Sequence, residues 1–416
     1  MARHNPYVCC CAVMFCLLVL IGFIACSSSL GFELFVKSTT PILSIFRNTP
    51  TQCHRHVLIS ACAGDRSFGH IMDQVERLLK SIILSQMTSL NNTTCQWTTW
   101  LVVNRASKFT LVPLVMRLRS YSTLQINFID VDKMPGDQHL FKKCASAALN
   151  VHRVLPMSVD EYLKLDADIL VVGNLELIYD NAKRQGWDDT KFVSAAEECV
   201  EPRGKCGWYN WDAHKGKHFL VRYCDNGLNS GVCILSTSAS RKYDFSDWME
   251  DTLQDKRDLL ILGDQDVLNL YAKEYPDRLV LLQCNANVRT DSGCNVTTRP
   301  PILLHGNRQI FNHFKPWRAV ASKVDEIFFD HFISHRATGQ LNSSMSASMH
   351  DNASDLDLHK NASALMRESA SAPRQLNGSS LWDLLGRDLQ RGIVKTLRKP
   401  WGLSPDRSTG HCKDKK

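Results

Sequence analysis

A chain of 416 residues with 44% apolar and 22% charged residues has an ordinary globular balance, enough for one large domain or two average ones. Its formal charge of +7 is diluted along the whole length, and basic residues form no long block except near the end, so composition gives no reason to expect a nucleic-acid partner.

In chain order, the first element is Tyr7 to Cys26, an uncharged and almost wholly apolar run with Arg3 ahead of it. About 20 such residues cross a bilayer. We read residues 1–26 as a signal-anchor transmembrane helix with its amino terminus cytoplasmic, since the flanking positive charge stays inside. A cleaved signal peptide, with Ala25-Cys26-Ser27-Ser28 as its small-residue site, is the alternative. Five of the 16 cysteines (Cys9, Cys10, Cys11, Cys16 and Cys26) belong to this run, leaving eleven. None of these eleven shows a zinc-finger spacing, and in an oxidising lumen they are disulfide material with at least one thiol left over. Sequons at Asn91, Asn92, Asn295, Asn342, Asn352, Asn361 and Asn377 fit the same compartment.

Residues 27–53 lack a strong period and read as a stem. The body, residues 54–335, opens with His56-Val-Leu-Ile-Ser-Ala-Cys-Ala-Gly64, a buried-strand run, followed by Ile71 to Ile83 with apolar positions at helical spacing. Trp100 to Asn104 and Leu124 to Val131 supply further strands, and Ala145 to Leu155 another helix. Strands alternating with helices predict an α/β sheet with crossover helices. Residues 336–380, rich in Ser and Asn with four sequons, read as a glycosylated linker. In the last segment, 381–416, Leu381, Leu385, Leu389, Ile393 and Leu397 recur every fourth residue, an amphipathic helix ending before Pro400 and followed by a basic tail. Its charged side is read as a solvated face of a helix docked on the body, with a membrane or partner contact as the alternative.

The chemistry-bearing residues interrupt apolar runs. In Glu161-Tyr-Leu-Lys-Leu-Asp-Ala-Asp-Ile-Leu-Val-Val172, the carboxylates Asp166 and Asp168 are spaced i and i+2, which on an extended chain points them to one side. Two such oxygens repel unless a cation lies between them, and hard oxygen ligands favour Mg or Mn. At the carboxyl end of a strand in an open α/β sheet, this is where ligands bind. Alone, the pair more often marks a turn. It is accompanied by Gly227-Leu-Asn-Ser-Gly231 ahead of an apolar strand, by Gly263-Asp-Gln-Asp266 at the mouth of a helix, by Ile302-Leu-Leu-His-Gly-Asn-Arg308 with His305 at a strand tip, and by Lys315-Pro-Trp317. Each has an ordinary structural reading: turn, helix cap, satisfied histidine.

In this order the motifs resemble the glycogenin-like, family 8 retaining glycosyltransferases of the GT-A fold. More narrowly, Phe141-Lys-Lys-Cys-Ala-Ser146, Glu201-Pro-Arg with Gly207-Trp-Tyr-Asn210, and Leu304-His-Gly-Asn-Arg308 are similar to the glucoside xylosyltransferases. The resemblance covers roughly His54 to Asp330 and not the anchor, linker or terminal helix. It implies an α/β GT-A type nucleotide-sugar-binding mixed sheet flanked by helices, which would lie behind the N-terminal transmembrane helix read from the Tyr7 to Cys26 run. It further implies Asp166, Asp168 and His305 as ligands of Mn2+ (or Mg2+), a UDP-sugar donor, and Gln265 and Asp264 as the catalytic pair. Asn229, Ser230 and Asp266 would meet the donor sugar, Gly306, Arg308 and Lys315 its diphosphate, and Ala61 and Cys62 would border the nucleotide. The expected function is retaining transfer of a sugar, most naturally xylose, to a glucose-linked glycan on a protein. The expected location is the Golgi or endoplasmic reticulum membrane, with the catalytic domain lumenal. The alternatives are another donor, such as glucose, galactose or glucuronate, and a non-catalytic sugar-nucleotide or glycan binder. Three departures bear on donor choice: Ala167 stands where Thr is more usual, Lys315-Pro316-Trp317 follows the glycogenin pattern, and Cys206 lies in an insertion before Gly207.

Overall fold

The computed structural model describes residues 53–62, 68–88, 95–122, 124–134, 143–198, 223, 227–260, 262–306, 309–334 and 380–397. The expected anchor, the stem before Cys53 and the linker before Ser380 lie outside them. Among the described residues no helix is long and apolar enough to cross a membrane.

The alternation read from the sequence is present. The first half runs β1 (His54–Ser60), α1 (Phe68–Thr88), β2 (Gln96–Val103), α2 (Arg105–Arg119), β3 (Gln125–Asp130), α3 (Lys143–Leu149), β4 (Glu161–Leu165), β5 (Ile169–Val171), α4 (Glu176–Arg184) and β6 (Val193–Glu197). The second half runs β7 (Leu228–Ser236), α5 (Thr237–Lys242), α6 (Phe245–Lys256), α7 (Asp264–Glu274), β8 (Leu279–Leu282), β9 (Leu303–His305), α8 (Ile310–His313), α9 (Lys315–Phe329), α10 (Leu381–Leu384) and α11 (Arg387–Leu397). Seven strands form a mixed sheet in the order β3-β2-β1-β4-β7-β6-β8, and β5 pairs with β9 in a separate ribbon. Strands β1 to β4 are mutually parallel, and β7 runs antiparallel to both β4 and β6.

Helices cover both faces, so the central strands read as continuous apolar runs rather than alternating ones. All nine residues of β7 are buried. Val57 and Ile59 of β1 join one core with α1, α2 and α9, while Leu58 and Tyr162 join the other with α3, α6 and α7. The mixed sheet flanked by helices agrees with the expected fold class.

Local expectations needed three adjustments. The helix expected over Ala145–Leu155 is α3 followed by a separate 3-10 turn at Val151–Arg153. The stretch at Gly227, expected to be a turn feeding a strand, is already strand from Leu228, so Asn229 and Ser230 lie inside the sheet. The terminal helix is two helices, because Gly386 takes a φ of +78° between α10 and α11. That left-handed backbone suits glycine and stops a helix.

The fourfold stripe nevertheless works as read. Leu381, Leu385, Ile393 and Leu397 are all buried, and the segment docks on the body. Ser380 and Asp383 form a capping box at the start of α10, the Trp382 amide donates to the Val172 carbonyl at 2.6 Å, and the Trp317 indole N–H donates to Thr396 Oγ1 at 3.1 Å. Docking therefore rests on apolar burial plus two hydrogen bonds to groups of the body. Replacing a fully buried Ile by Ala removes transfer energy and leaves a cavity. We expect Ile393→Ala to lower the unfolding free energy by about 2–4 kcal/mol in chemical denaturation; an unchanged midpoint would mean that α11 stands off the body in solution.

Candidate active site

The expected site residues come from separate parts of the chain, and sheet register is what gathers them. Parallel β1 and β4 end together, Ile59 paired with Leu165, so Ala61 and Asp166 leave the sheet at the same edge. Antiparallel β7 begins there: Leu165 pairs with Val232, and the Asp166 amide donates to the Gly231 carbonyl at 2.9 Å. In the β5–β9 ribbon Ile169 pairs with His305, one residue from Asp168, and the Gly306 amide donates to the Asp168 carbonyl at 2.6 Å. Asp166 and Asp168 thus sit on the turn joining β4 to β5, not within an extended strand. The alternation of strand side chains is therefore not what brings their carboxylates together. The ribbon register does it, by setting His305 against both.

The candidate ligand atoms of Asp166, Asp168 and His305 lie within 4.8 Å of one another. His305 Nε2 is 3.4 Å from Asp168 Oδ1 and 3.9 Å from Asp166 Oδ2. Which imidazole nitrogen carries the proton follows from a chain of hydrogen bonds that starts at an unambiguous donor. The backbone N–H of Gly231 donates to Asn229 Oδ1 at 3.0 Å, which identifies that atom as oxygen. The Asn287 atom 2.7 Å from the same oxygen must then be its Nδ2, leaving Asn287 Oδ1 to face His305 Nδ1 at 2.9 Å. An amide oxygen can only accept, so Nδ1 bears a hydrogen, and in the neutral ring Nε2 is then the lone-pair atom, set toward the carboxylates. Two carboxylates and such a nitrogen fit a divalent cation such as Mn2+ or Mg2+. Packing holds the ring as firmly as bonding does: a Cβ on Gly231 would fall 2.2 Å from His305 Cε1.

Around this cluster the charges are paired. Lys164 is fully buried, and its ammonium lies 3.0 Å from Asp166 Oδ1, 3.0 Å from Asp264 Oδ2 and 2.8 Å from the Ser230 carbonyl. Burial alone would depress the lysine, but Asp166 and Asp264 outweigh it and hold Lys164 well above its ordinary value. Deeper, Glu198 Oε2 accepts from Asn229 Nδ2 at 2.7 Å, from Arg289 Nη1 at 3.1 Å and from Gln265 Nε2 at 3.3 Å. Burial pushes the Glu198 carboxyl upward while Arg289 opposes the shift. Gln265 Oε1 accepts from Asn229 Nδ2 at 3.2 Å and from the Ser230 amide at 3.3 Å. The side-chain amide of Asn229 thereby uses both hydrogens and its oxygen within the protein.

Asn229, Ser230, Asp264 and Gln265 therefore stand beside the Asp166–Asp168–His305 cluster in one bonded network. Other expected residues have different surroundings. Asp266 turns back to accept from the Leu262 amide at 2.6 Å, closing the loop ahead of α7. The Gly306 amide is used on Asp168, and a Cβ there would fall 2.1 Å from the Phe311 ring, which gives glycine a packing reason. Lys315 is exposed at the start of α9. Ala61 is buried at the sheet edge, and Cys62 is disulfide-bonded to Cys144, tying β1 to α3. Arg308, Phe141, the Glu201–Asn210 motif and Cys206 lie outside the described residues.

Sequence reading did not single out Lys164, Glu198, Asn287 or Arg289. The Lys164 signal was present, a lysine inside the apolar run Tyr162–Leu165 two residues before Asp166. Asn287 and Arg289 lie in a loop closed by the Cys284–Cys294 disulfide, whose partners no spacing rule identifies.

Residues 114–321 match glycosyl transferase family 8. The chain belongs to that family. Its members take UDP-sugar donors and typically a divalent metal. Among curated relatives, mouse glucoside xylosyltransferase 1 is 32% identical over 222 residues, covering 48% of this chain and 51% of that protein. Chicken glucoside xylosyltransferase 1 is 32% identical over 209 residues, 46% of each. The chain thus spans about half the length of the curated relatives it matches. Among solved structures, apo mouse xyloside xylosyltransferase 1 superposes with a TM-score of 0.45 at 18% identity, covering 62% of this chain and 98% of that one.

The hydrogen-bond chain to His305 generates its own test. Asn287→Leu keeps the side chain's bulk but frees the imidazole to adopt either tautomer and orientation. Loss of such an outer hydrogen bond costs about 10–100-fold in metal affinity, so we expect a weakening of that size in a Mn2+ titration followed by calorimetry. Wild-type affinity in the variant would show that the relay does not orient the ring.

Proposed function

We propose that this protein is a retaining glycosyltransferase that moves xylose from UDP-xylose to a glucose-linked glycan on a protein. The observation that carries the reading is the convergence of Asp166, Asp168 and His305 beside Asn229, Asp264 and Gln265 at one sheet edge. The similarity to glucoside xylosyltransferases supports the choice of donor and acceptor.

Asp166, Asp168 and His305 would hold Mn2+, and its charge would neutralise the diphosphate that leaves with UDP. The remaining chemistry belongs to this chain's residues. As the bond from sugar to phosphate breaks, positive charge develops on the ring, and fixed dipoles aimed at it lower the barrier. Gln265 supplies such a dipole, because Asn229 Nδ2 and the Ser230 amide hold its oxygen while Glu198 accepts from its nitrogen. Asp264 supplies a carboxylate whose charge is shared with Lys164 at 3.0 Å. A carboxylate that is 6% exposed and paired with an ammonium is a weak nucleophile. The arrangement therefore favours attack by the acceptor hydroxyl from the face the leaving phosphate occupies, with that phosphate taking the hydroxyl proton, which retains configuration.

The protein incubated with a panel of UDP-sugars and a simple β-glucoside should transfer xylose, and EDTA should stop it. Asp168→Asn should lower transfer at least ~100-fold, since a metal ion contributes several kcal/mol to such a transition state, while leaving the circular dichroism unchanged. Transfer of another sugar in preference would replace the donor, and EDTA-resistant transfer by the variant would remove the metal role. We also propose that the Tyr7 to Cys26 run anchors the protein in a secretory-pathway membrane with the catalytic body lumenal. The protein should then stay in the pellet after alkaline carbonate extraction, whereas release of a form beginning near Ser27 would mean cleavage.

A further inference from the structure

We propose that Lys164 is a positioning residue: its buried ammonium clamps Asp166, on the cation-binding turn, to Asp264, at the mouth of α7, and so sets the spacing between the cation and the Asp264–Gln265 pair. The proposal rests on the reading of Asp166 as a cation ligand.

Lys164 lies in the middle of the sheet, paired with Leu58 of β1 on one side and Cys233 of β7 on the other. A lysine there is expensive to bury unless its charge is paired and hydrogen-bonded. Three oxygens surround this ammonium: it donates hydrogen bonds to Asp166 Oδ1 at 3.0 Å and to the Ser230 carbonyl at 2.8 Å, and it is ion-paired with Asp264 Oδ2 at 3.0 Å without hydrogen-bond geometry. These oxygens belong to three different elements, the β4–β5 turn, the start of α7 and the start of β7. Ser230 is bonded in turn to Gln265 through its amide. One side chain thus bridges three of the segments that meet at the site edge.

The clamp also decides how Asp166 can act. Lys164 contacts Oδ1 of Asp166, while Oδ2 is the oxygen that faces His305 Nε2. The two oxygens of Asp166 are thus turned toward different partners. A positive charge so close to a ligand carboxylate opposes cation binding, so a lysine kept at this position acts against affinity and in favour of geometry. A residue whose only role is to stabilise the fold carries no such signature.

The test uses the full chain with Mn2+ itself as the probe, read by calorimetry, and UDP release from whichever UDP-sugar the wild type turns over. Lys164→Met keeps the length and removes the charge. We expect it to bind Mn2+ roughly tenfold more tightly, as the opposing charge is gone, while kcat for UDP release falls about 100-fold through misplaced groups. The KM for the UDP-sugar should change much less than kcat. Lys164→Met leaves Asp264 buried without its cation, so Lys164→Met/Asp264→Asn, which removes both charges, is measured alongside it. In that double variant the Mn2+ affinity should stay at or above wild type, with turnover as low as in the single variant. Mn2+ affinity falling in step with turnover would make Lys164 merely structural, and wild-type turnover in Lys164→Met would remove the clamp altogether. If the wild type releases UDP from no UDP-sugar, the proposed function fails, and the Mn2+ arm alone decides: tighter binding supports the clamp, unchanged or weaker binding overturns it.

Discussion

Four carboxylates, Asp166, Asp168, Asp264 and Glu198, crowd one edge of the sheet, and the structure depends on how that negative charge is balanced. Two buried cations do so, each serving two acidic groups. Lys164 lies between Asp166 and Asp264. Arg289 lies between Glu198 and Asp291, at 3.1 Å from each, and also donates to the Glu198 carbonyl. Buried ion pairs contribute little net stability, because desolvation offsets most of the attraction, but removing one member leaves an uncompensated charge that costs about 3–5 kcal/mol. The cations therefore specify one arrangement more than they strengthen the fold. Asp168 is the acid that neither cation touches among the described contacts, and it is the one set against His305. Among the described residues, the carboxylate without a buried cation lies where a divalent cation fits.

A second constraint is directional. Hydrogen bonds run from the Gly231 amide through Asn229 and Asn287 to His305, each step fixing which atom donates at the next. The chain begins at a strand residue whose own carbonyl is bonded to the Asp166 amide. The imidazole and one of the carboxylates it faces are thus oriented from the same residue. Gly231 also has to lack a side chain for the ring to lie where it does. Backbone, amide relay and steric space impose the same placement, the sort of agreement that holds a site within a fraction of an ångström.

Much of this was legible in the amino-acid sequence, and the reason differs from residue to residue. Strands such as β1 and helices such as α1 declare themselves through period and apolar content. Asp166 and Asp168 draw notice as paired carboxylates between apolar runs, and His305 joins them only through the resemblance to a known family, since each motif alone has an ordinary structural reading. Their mechanism of convergence was not legible: i, i+2 alternation was expected, whereas a turn and the pairing of Ile169 with His305 accomplish it. Register between segments more than 130 residues apart is a tertiary property that no local pattern encodes. Lys164 escaped because a single lysine in a strand reads as an edge or surface position, and only the sheet order shows β4 to be central. Gly386 was visible in the terminal segment, but the stripe of leucines on either side masked its effect. The apolar pattern is unbroken, and the backbone alone turns there.

The disulfides bear on why this edge can hold so much irregular chain. Cys62–Cys144 ties the end of β1 to α3, and Cys284–Cys294 closes the loop that carries Asn287, Arg289 and Asp291. Loops without regular structure lose conformational entropy when they order, and a crosslink lowers that cost by restricting the unfolded chain, typically by about 2–4 kcal/mol each. Both lie at or beside the site edge, where side chains must be placed most accurately and hydrogen-bonded strands are least available to do it. The remaining described thiol, Cys233, is buried in β7 with its pKa pushed up to about 12 by burial, so it is protonated and unreactive next to Lys164. These two crosslinks therefore lie outside the strands and leave the sheet interior untouched. The Cys284–Cys294 crosslink restrains the part of the site that the sheet cannot, through the segment that turns Asn287 toward His305.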